Sequence, residues 1–300
     1  MKKIRAIALL LVSSSLLFGG GNQRTRARRR ERLARELKAR SVISPQAASE
    51  QQLPTPIDEY PLHDAIAHDD AKKLMVLLST GSYDINGIDK TMRSPLHTAV
   101  EYQSTACIAL LITHGASLTT RIVMGFTPLH CAAMCNNAEI AQMLLTREPR
   151  LINEQDMLGC TAMHIAASSC TLDFVELLIT HNANLNNGDS SGNTALHCAI
   201  TRSNEVHKDK IIKIIATTCP ELITYHNGQK QTPLHIFLYL LLKKVKKGSS
   251  VDTNHSQRMI NLLYNRTIAN SPDNTGITCQ ELLDKINRYL PYSSKLYFIL

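Results

Sequence analysis

Apolar and polar residues alternate along this chain on a helical period, in short bursts rather than long runs. AEIAQMLLT, from Ala138, sets Ile140, Met143 and Leu144 at i, i+3 and i+4, the spacing that places side chains on one face of a helix. KKLMVLLST from Lys72, CIALLITHG from Cys107 and DFVELLITH from Asp173 repeat the pattern. Gly81, Gly115 or Asn182 follows such a burst, a residue that ends a helix in the left-handed conformation at low steric cost. The pattern therefore predicts short helices in pairs, each second helix turning an apolar face toward its neighbours.

The first burst of each pair is almost one phrase: PLHDA at Pro61, PLHTA at Pro95, TPLHCAA at Thr127, TAMHIAA at Thr161, TALHCAI at Thr194 and TPLHIF at Thr232. Its histidines, His63, His97, His130, His164 and His197, stand 34, 33, 34 and 33 residues apart, and His235 follows after 38. So regular a period marks a stack in which each unit buries its apolar face only against the next. Thr127 is a good N-cap, and Pro128 at the first helical position has no amide hydrogen to leave unpaired. Gly125, Gly159 and Gly192 recur two residues before the block's Thr, which predicts one repeated backbone conformation at positive φ.

Toward the C-terminus the period loosens, with extra residues between Arg202 and Lys210 and an extended first helix in HIFLYLLLKKVKK from His235. GITCQELLDKI from Gly276 keeps the opening but puts Gln280 and Glu281 where Leu and His stand elsewhere. Polar substitutions of that kind suit a last unit whose outer face meets water.

The combination G-x-TPLH-x-AA, then LL-x-x-GA and Asn, every 33 residues, resembles the ankyrin repeat. Gly125, Thr127, Pro128, Leu129, His130, Ala132 and Ala133 match it in full, and the resemblance covers residues 57–290. It implies an all-α solenoid of six to seven helix-turn-helix units with β-turn loops on one side. It also implies a structural, hydrogen-bonding role for Thr127 and for His63, His97, His130, His164, His197 and His235. Tyr60 and Ser94 replace the motif Thr, Ala162 and Ala195 replace the Pro, and EPRL replaces the Gly-Ala turn after the second helix of the third unit.

Charge changes the picture at one end. The whole chain carries a formal +8, but residues 1–40 hold 12 Lys or Arg against Glu31 and Glu36, leaving 21 basic and 23 acidic side chains elsewhere. A nearly neutral repeat body does not suit nucleic acid. Residues 1–21 read as a signal peptide: Lys2, Lys3 and Arg5, an apolar run from Ala6 to Phe18, then small residues. Thirteen apolar residues are short for a bilayer span of about 20. Nine basic residues from Arg24 to Arg40 oppose easy export, so an uncleaved membrane anchor is the alternative. Residues 22–56 form a basic arm and linker, partly helical or disordered, whose segment 24–40 offers weak contact to anionic lipid. Residues 291–300 read as a C-terminal tail.

Candidate chemistry is sparse. The six histidines form a ladder rather than a convergent cluster, and a metal needs three or four ligands about one point. His130, Cys131 and Cys135 are the nearest approach, yet they supply too few ligands. The eight cysteines show no close-spaced framework and read as small buried residues. No phosphate loop, GxSxG elbow, HExxH or GxGxxG is present. The expectation is a monomeric, non-enzymatic module with no cofactor that binds another protein through its loops and concave face. Arg121, Ile122, Met124, Met157 and Leu158 are the first candidates for that contact, since mixed apolar and Arg surfaces favour protein partners. An exported bacterial protein acting on a host is the expected setting. A resident envelope scaffold held by the basic arm, or an enzyme with a site in residues 202–247 or the C-terminal cap, are the alternatives.

Overall fold

The computed structural model describes residues 60–201, 207–265 and 270–298. The expected signal peptide and basic arm lie outside those residues. Residues from Pro61 onward form one compact unit of thirteen α-helices among the described residues, with no strand.

The helices come in pairs, and six hairpin loops link them. Unit A is α1 (Pro61–Ala67) with α2 (Ala71–Ser79). Unit B is α3 (Pro95–Glu101) with α4 (Thr105–Thr113), and unit C is α5 (Pro128–Cys135) with α6 (Ala138–Arg147). Unit D pairs α7 (Ala162–Ser169) with α8 (Leu172–Thr180), and unit E pairs α9 (Ala195–Thr201) with α10 (Lys208–Thr218). Unit F pairs α11 (Pro233–Lys246) with α12 (Thr253–Leu263), and unit G holds α13 (Cys279–Asn287) alone. First helices stack on first helices all the way from α1 to α13, and each second helix packs on its own partner.

The sequence pattern explains which helices are inner. First helices are short, rich in Ala and buried almost all round: Leu129, His130, Ala132 and Ala133 are inaccessible or nearly so, and so are Ala162, Met163, Ile165, Ala166 and Ala167. Small residues let those helices approach closely. Second helices bury one stripe only. In α6 that stripe is Ile140, Ala141, Leu144 and Leu145; Leu145 takes the place expected for Met143, which is half-buried. Each fully buried Leu or Ile of this set contributes about 2 kcal/mol.

Every hairpin is closed by one backbone bond from its first amide to its fifth carbonyl. The six are Asp89 to Arg93 (2.9 Å), Ile122 to Phe126 (3.0 Å), Asp156 to Cys160 (2.9 Å), Asp189 to Asn193 (2.9 Å), Asn227 to Gln231 (3.0 Å) and Asp273 to Ile277 (3.0 Å). In five of them the first residue is Asp or Asn, and its side-chain oxygen also accepts from the amides two and four residues on; Asp156 Oδ1 takes Leu158 and Cys160 at 2.8 Å each. Short polar side chains do this because they reach their own backbone.

The fourth position of each hairpin has positive φ, as the recurring glycines predict. Gly125, Gly159, Gly192 and Gly276 occupy it at 77°, 73°, 74° and 79°, while Met92 and Lys230 bear the same conformation with a side chain. Gly192 has a second reason to lack one: a Cβ there would stand 2.8 Å from the Gly228 amide nitrogen of the next hairpin, whereas at Gly276 it would meet nothing within 4 Å.

Unit G closes the stack differently. Thr278 and Glu281 form a capping box, with the Glu281 amide donating to Thr278 Oγ1 at 3.2 Å. In place of a second helix the chain turns at Tyr292–Ser294 and runs back. Asn287 holds it through the Leu296 amide and carbonyl (2.9 and 2.8 Å), Gln257 through Tyr297, and Phe298 stacks on Tyr264 at 4.7 Å. Leu296 is thereby buried, so the fold continues past residue 290 into the segment expected as a tail.

Gly192→Ala and Gly276→Ala separate the two demands on this hairpin position. Both should lose about 1 kcal/mol to left-handed strain, and Gly192→Ala should lose a further 1 kcal/mol or more through the close approach. Urea denaturation of the two variants measures the difference; equal losses would show that the neighbouring hairpin moves aside freely.

Candidate functional site

The motif histidines connect successive units. His63 Nε2 lies 2.9 Å from the Arg93 carbonyl, His97 3.2 Å from Phe126, His130 3.0 Å from Cys160, His164 3.0 Å from Asn193 and His197 3.1 Å from Gln231. A carbonyl can only accept, so Nε2 carries the proton and Nδ1 is bare. That bare nitrogen receives the Thr amide and hydroxyl of its own unit: Thr127 at 3.2 and 2.7 Å, Thr161 at 3.1 and 2.9 Å, Thr194 at 3.2 and 2.9 Å, Thr232 at 3.3 and 2.8 Å. Ser94 plays the same part for His97 at 2.8 Å. His235, in the last full pair, faces the Ser271 and Ile277 carbonyls without closing a hydrogen bond.

Both ring nitrogens of His130 are thus committed, and neither is offered to a metal with Cys131 and Cys135. Among the described residues no group of three or more His, Cys, Asp or Glu is placed to hold an ion. All eight cysteines are free thiols. Burial pushes Cys135 up to about 11, Cys219 to about 11 and Cys279 to about 12, and raises Cys131, Cys160 and Cys198 as well. A thiol so raised is not a nucleophile at neutral pH. In the irregular C-terminal region Tyr239 donates to Asp273 Oδ2 at 2.7 Å. Burial lifts that phenol to about 12, and Asp273, which its own burial would raise, is held at about 2 by Thr275, Tyr239 and the Thr275 and Ile277 amides. The pair is a locked hydrogen bond rather than a poised acid and base.

First-helix rungs, Asp- or Asn-seated hairpins and seven stacked units are the architecture of a known repeat family. The ankyrin-repeat model, written for three copies, matches residues 62–156 and again 149–218. The chain belongs to the ankyrin-repeat family. It is 31% identical to mouse Rabankyrin-5 over 149 residues, 49% of this chain and 13% of that protein. It is 30% identical to dog Inversin over 162 residues, 53% of this chain and 15% of that protein. It is 35% identical to human SMC5-SMC6 complex localization factor protein 1 over 104 residues, 34% of this chain and 10% of that protein. The chain therefore matches only 10 to 15% of the length of these relatives. All three are mammalian, which lends no support to the expected bacterial source. Ankyrin repeats are protein-interaction modules, so the surface of this ankyrin array is where recognition is to be sought.

The five candidate contact residues divide sharply. Arg121 is a tie within the array: its guanidinium pairs with Glu154, donates to the Gln155 carbonyl and reaches the Gly125 carbonyl at 3.2 Å, fastening the second hairpin to the third. Ile122, Met124 and Leu158 are half-buried. Ile122 stands where the other hairpins have Asp or Asn, and Met124 takes φ 69°, a costly conformation for a side chain. Met157 is the most open, at 75% exposure, and Arg121 is exposed too despite its ties.

Three apolar neighbours outside those five are exposed as well: Ile88 at 46%, Met92 at 53% and Val123 at 50%. Val123 and Met157 share the second position of their hairpins, whereas Ser190, Gly228 and Asn274 hold it further on. Aligning the hairpins by their first residue would have found this register, because the second position projects beyond the closing bond. At that position the second and third hairpins are apolar, the first carries Lys90 and the last three carry Ser190, Gly228 and Asn274; the first hairpin adds apolar surface from Met92 at its fourth position and from Ile88 just before it. Backbone bonds join most of the tips: Met157 N to Met124 O (2.9 Å), Ser190 N to Leu158 O (2.7 Å), Gly228 N to Ser191 O (2.8 Å) and Asn274 N to Gln229 O (3.0 Å).

Acid should undo the array through its rungs. Burial lowers His97, His130 and His197 from about 6.5 to about 4, so the unfolded chain binds protons that the fold refuses. Stability is then complete above pH 6.5 and falls as pH drops toward 4, by about 1.4 kcal/mol per pH unit for each of these histidines. Urea midpoints measured from pH 7.5 to 4.5 should decline across that window, and His130→Leu should reduce the slope while lowering the midpoint at pH 7.5.

Proposed function

We propose that this ankyrin array is a non-enzymatic recognition scaffold whose partner seat is the apolar tip surface of the first three hairpins. The observation that carries the reading is the placement of Ile88, Met92, Val123 and Met157 in the open on loops whose backbones are anchored by hydrogen bonds. Exposed apolar side chains on a rigid support lose little conformational entropy when a partner covers them. Methionine adds adaptability, since its unbranched thioether fits irregular apolar surfaces. The raised thiols, and the rung histidines from His97 to His197 with both ring nitrogens committed, support a role without catalysis.

The partner is another protein, and its contact centres on Met157 and Val123 rather than on Arg121, which is tied to Glu154 and to the Gln155 and Gly125 carbonyls. Val123→Asp with Met157→Asp should abolish capture of that partner, while Ser190→Asp with Asn274→Asp, in the same register at the polar end, should leave it unchanged. Equal capture by both double variants, with helix content unaltered by circular dichroism, would place the seat elsewhere.

Export through residues 1–21 belongs to the same proposal, supported by the charge and apolar pattern of that segment. N-terminal sequencing of the protein recovered from its native source should find a chain beginning near Asn22. An intact Met1–Gly21 in a membrane fraction would favour the anchored alternative.

A further inference from the structure

We propose that the array carries a built-in hinge between units B and C, so that α1–α4 form one rigid stack and α5–α13 another. Three kinds of link fasten neighbouring units beyond the packing of their first helices, and this boundary lacks all three. The first is the bond between hairpin tips. It joins the second hairpin to the third, the third to the fourth, the fourth to the fifth and the fifth to the sixth. Between the first and the second, no bond runs from the Val123 amide to the Thr91 carbonyl among the described residues.

The second link is an Asn carboxamide reaching from the loop after one second helix to the loop after the next. Asn86 Oδ1 accepts from the Ser117 amide at 2.8 Å, joining A to B, and Asn153 Oδ1 accepts from the Asn184 amide at 2.8 Å, joining C to D. Asn186 meets the Cys219 thiol at 3.5 Å, joining D to E. The equivalent residue at the B–C boundary is Thr119, too short to cross. It faces the loop in which EPRL has replaced Gly-Ala and wound into a 3₁₀ turn, Pro149–Asn153. The third link is packing between second helices. α2 packs on α4, α6 on α8, α8 on α10 and α10 on α12, whereas α4 and α6 barely meet.

The E–F boundary also lacks the Asn link, with Thr224 in that place, but it keeps the tip bond and the outer-helix packing. Only at B–C do the three deficits coincide. Ile122 adds a fourth there, since the second hairpin has no carboxylate to hold the Met124 and Phe126 amides.

What remains across the boundary lies on the inner side: α3 packed on α5, and the His97 rung to Phe126, at 3.2 Å the longest of the five. One exposed amide pair, Asn137 Nδ2 to Gln103 Oε1 at 3.1 Å, bridges the turns. A joint fastened along its inner helices and unfastened at its tips and outer helices can flex about the inner line. Met92 belongs to one side of that joint and Val123 to the other. If the tip surface is the partner seat, a reading on which this consequence rests, flexing alters the spacing of its apolar anchors.

Native-state hydrogen exchange on the full chain, without any partner, tests the hinge independently of the seat. Buried amides of α1–α4 should exchange as one block, at least tenfold faster than those of α5–α9, with the step between α4 and α5. A second measurement uses Leu74→Ala, which removes a fully buried side chain from α2. Its exchange increase should stop at α4, and α5–α13 should keep their protection even if α1–α4 unfold. A gradual rise in rate toward α1 with no step, a step at another boundary, or an increase from Leu74→Ala that reaches α5 and α6 equally would overturn the proposal.

Discussion

In units A to E one buried imidazole donates through Nε2 to a carbonyl of the next unit, in B to E its Nδ1 also accepts from the unit's own N-cap, and this rung holds the structure in register. The rung solves two problems with one side chain. The N-terminal amide of a buried helix needs an acceptor, and the last carbonyl of a hairpin needs a donor. Because the ring is planar and spans both, it also fixes the distance between units. Everything else follows from that distance: the Ala-rich first helices, the glycines at hairpin crests, and the approach of one crest to the next. The cost is a proton acceptor kept neutral in the interior, which ties the folded state to pH.

Much of this was legible in the sequence because it repeats. The helix pairs, the positive φ at Gly125, Gly159 and Gly192, the long α11 and the polar last unit all follow from spacing and residue type, and the structure has each of them. Stripe residues were less legible. Met143 is only half-buried, as are Leu110 and Leu177 at the same place in their helices, because the second helices bury the faces of Cys107 and Ile108, Ile140 and Ala141, and Phe174 and Val175. The candidate surface was only partly legible for a similar reason. Arg121 beside Ile122 and Met124 looks like an exposed mixed patch when read linearly, but Glu154 and the Gln155 carbonyl lie 33 and 34 residues on and the Gly125 carbonyl across a turn, where linear reading does not place them. Val123 and Met157 project because of their hairpin register, a property that emerges only when the loops are superposed.

The same substitutions weaken the ladder and supply the exposed surface. Ile122 and Met124 take a hairpin out of the polar pattern that seats its neighbours, and Val123 stands open at its crest. Thr119, in the same loop, gives up a crossing bond. In residues 119–124 a crossing bond and a polar hairpin seat are both given up, and apolar surface takes their place. Such an exchange is what the proposed partner seat requires of its support. Arg121 limits the damage by fastening the second hairpin forward onto the third.

Glu281 has a consequence for how an array of this kind can change in length. It fills the histidine's place in the last helix and satisfies the local cap, but its carboxylate turns back on Thr278 and offers no donor to a hairpin beyond. A duplicated unit inserted anywhere before Gly276 would find an imidazole waiting to receive it. One added after α13 would meet a carboxylate, and the strand-like return of Leu296 would already occupy its seat. Stacking a further unit on α13 would therefore require both a donor in place of Glu281 and release of the Leu296 return, whereas an internal copy would need neither.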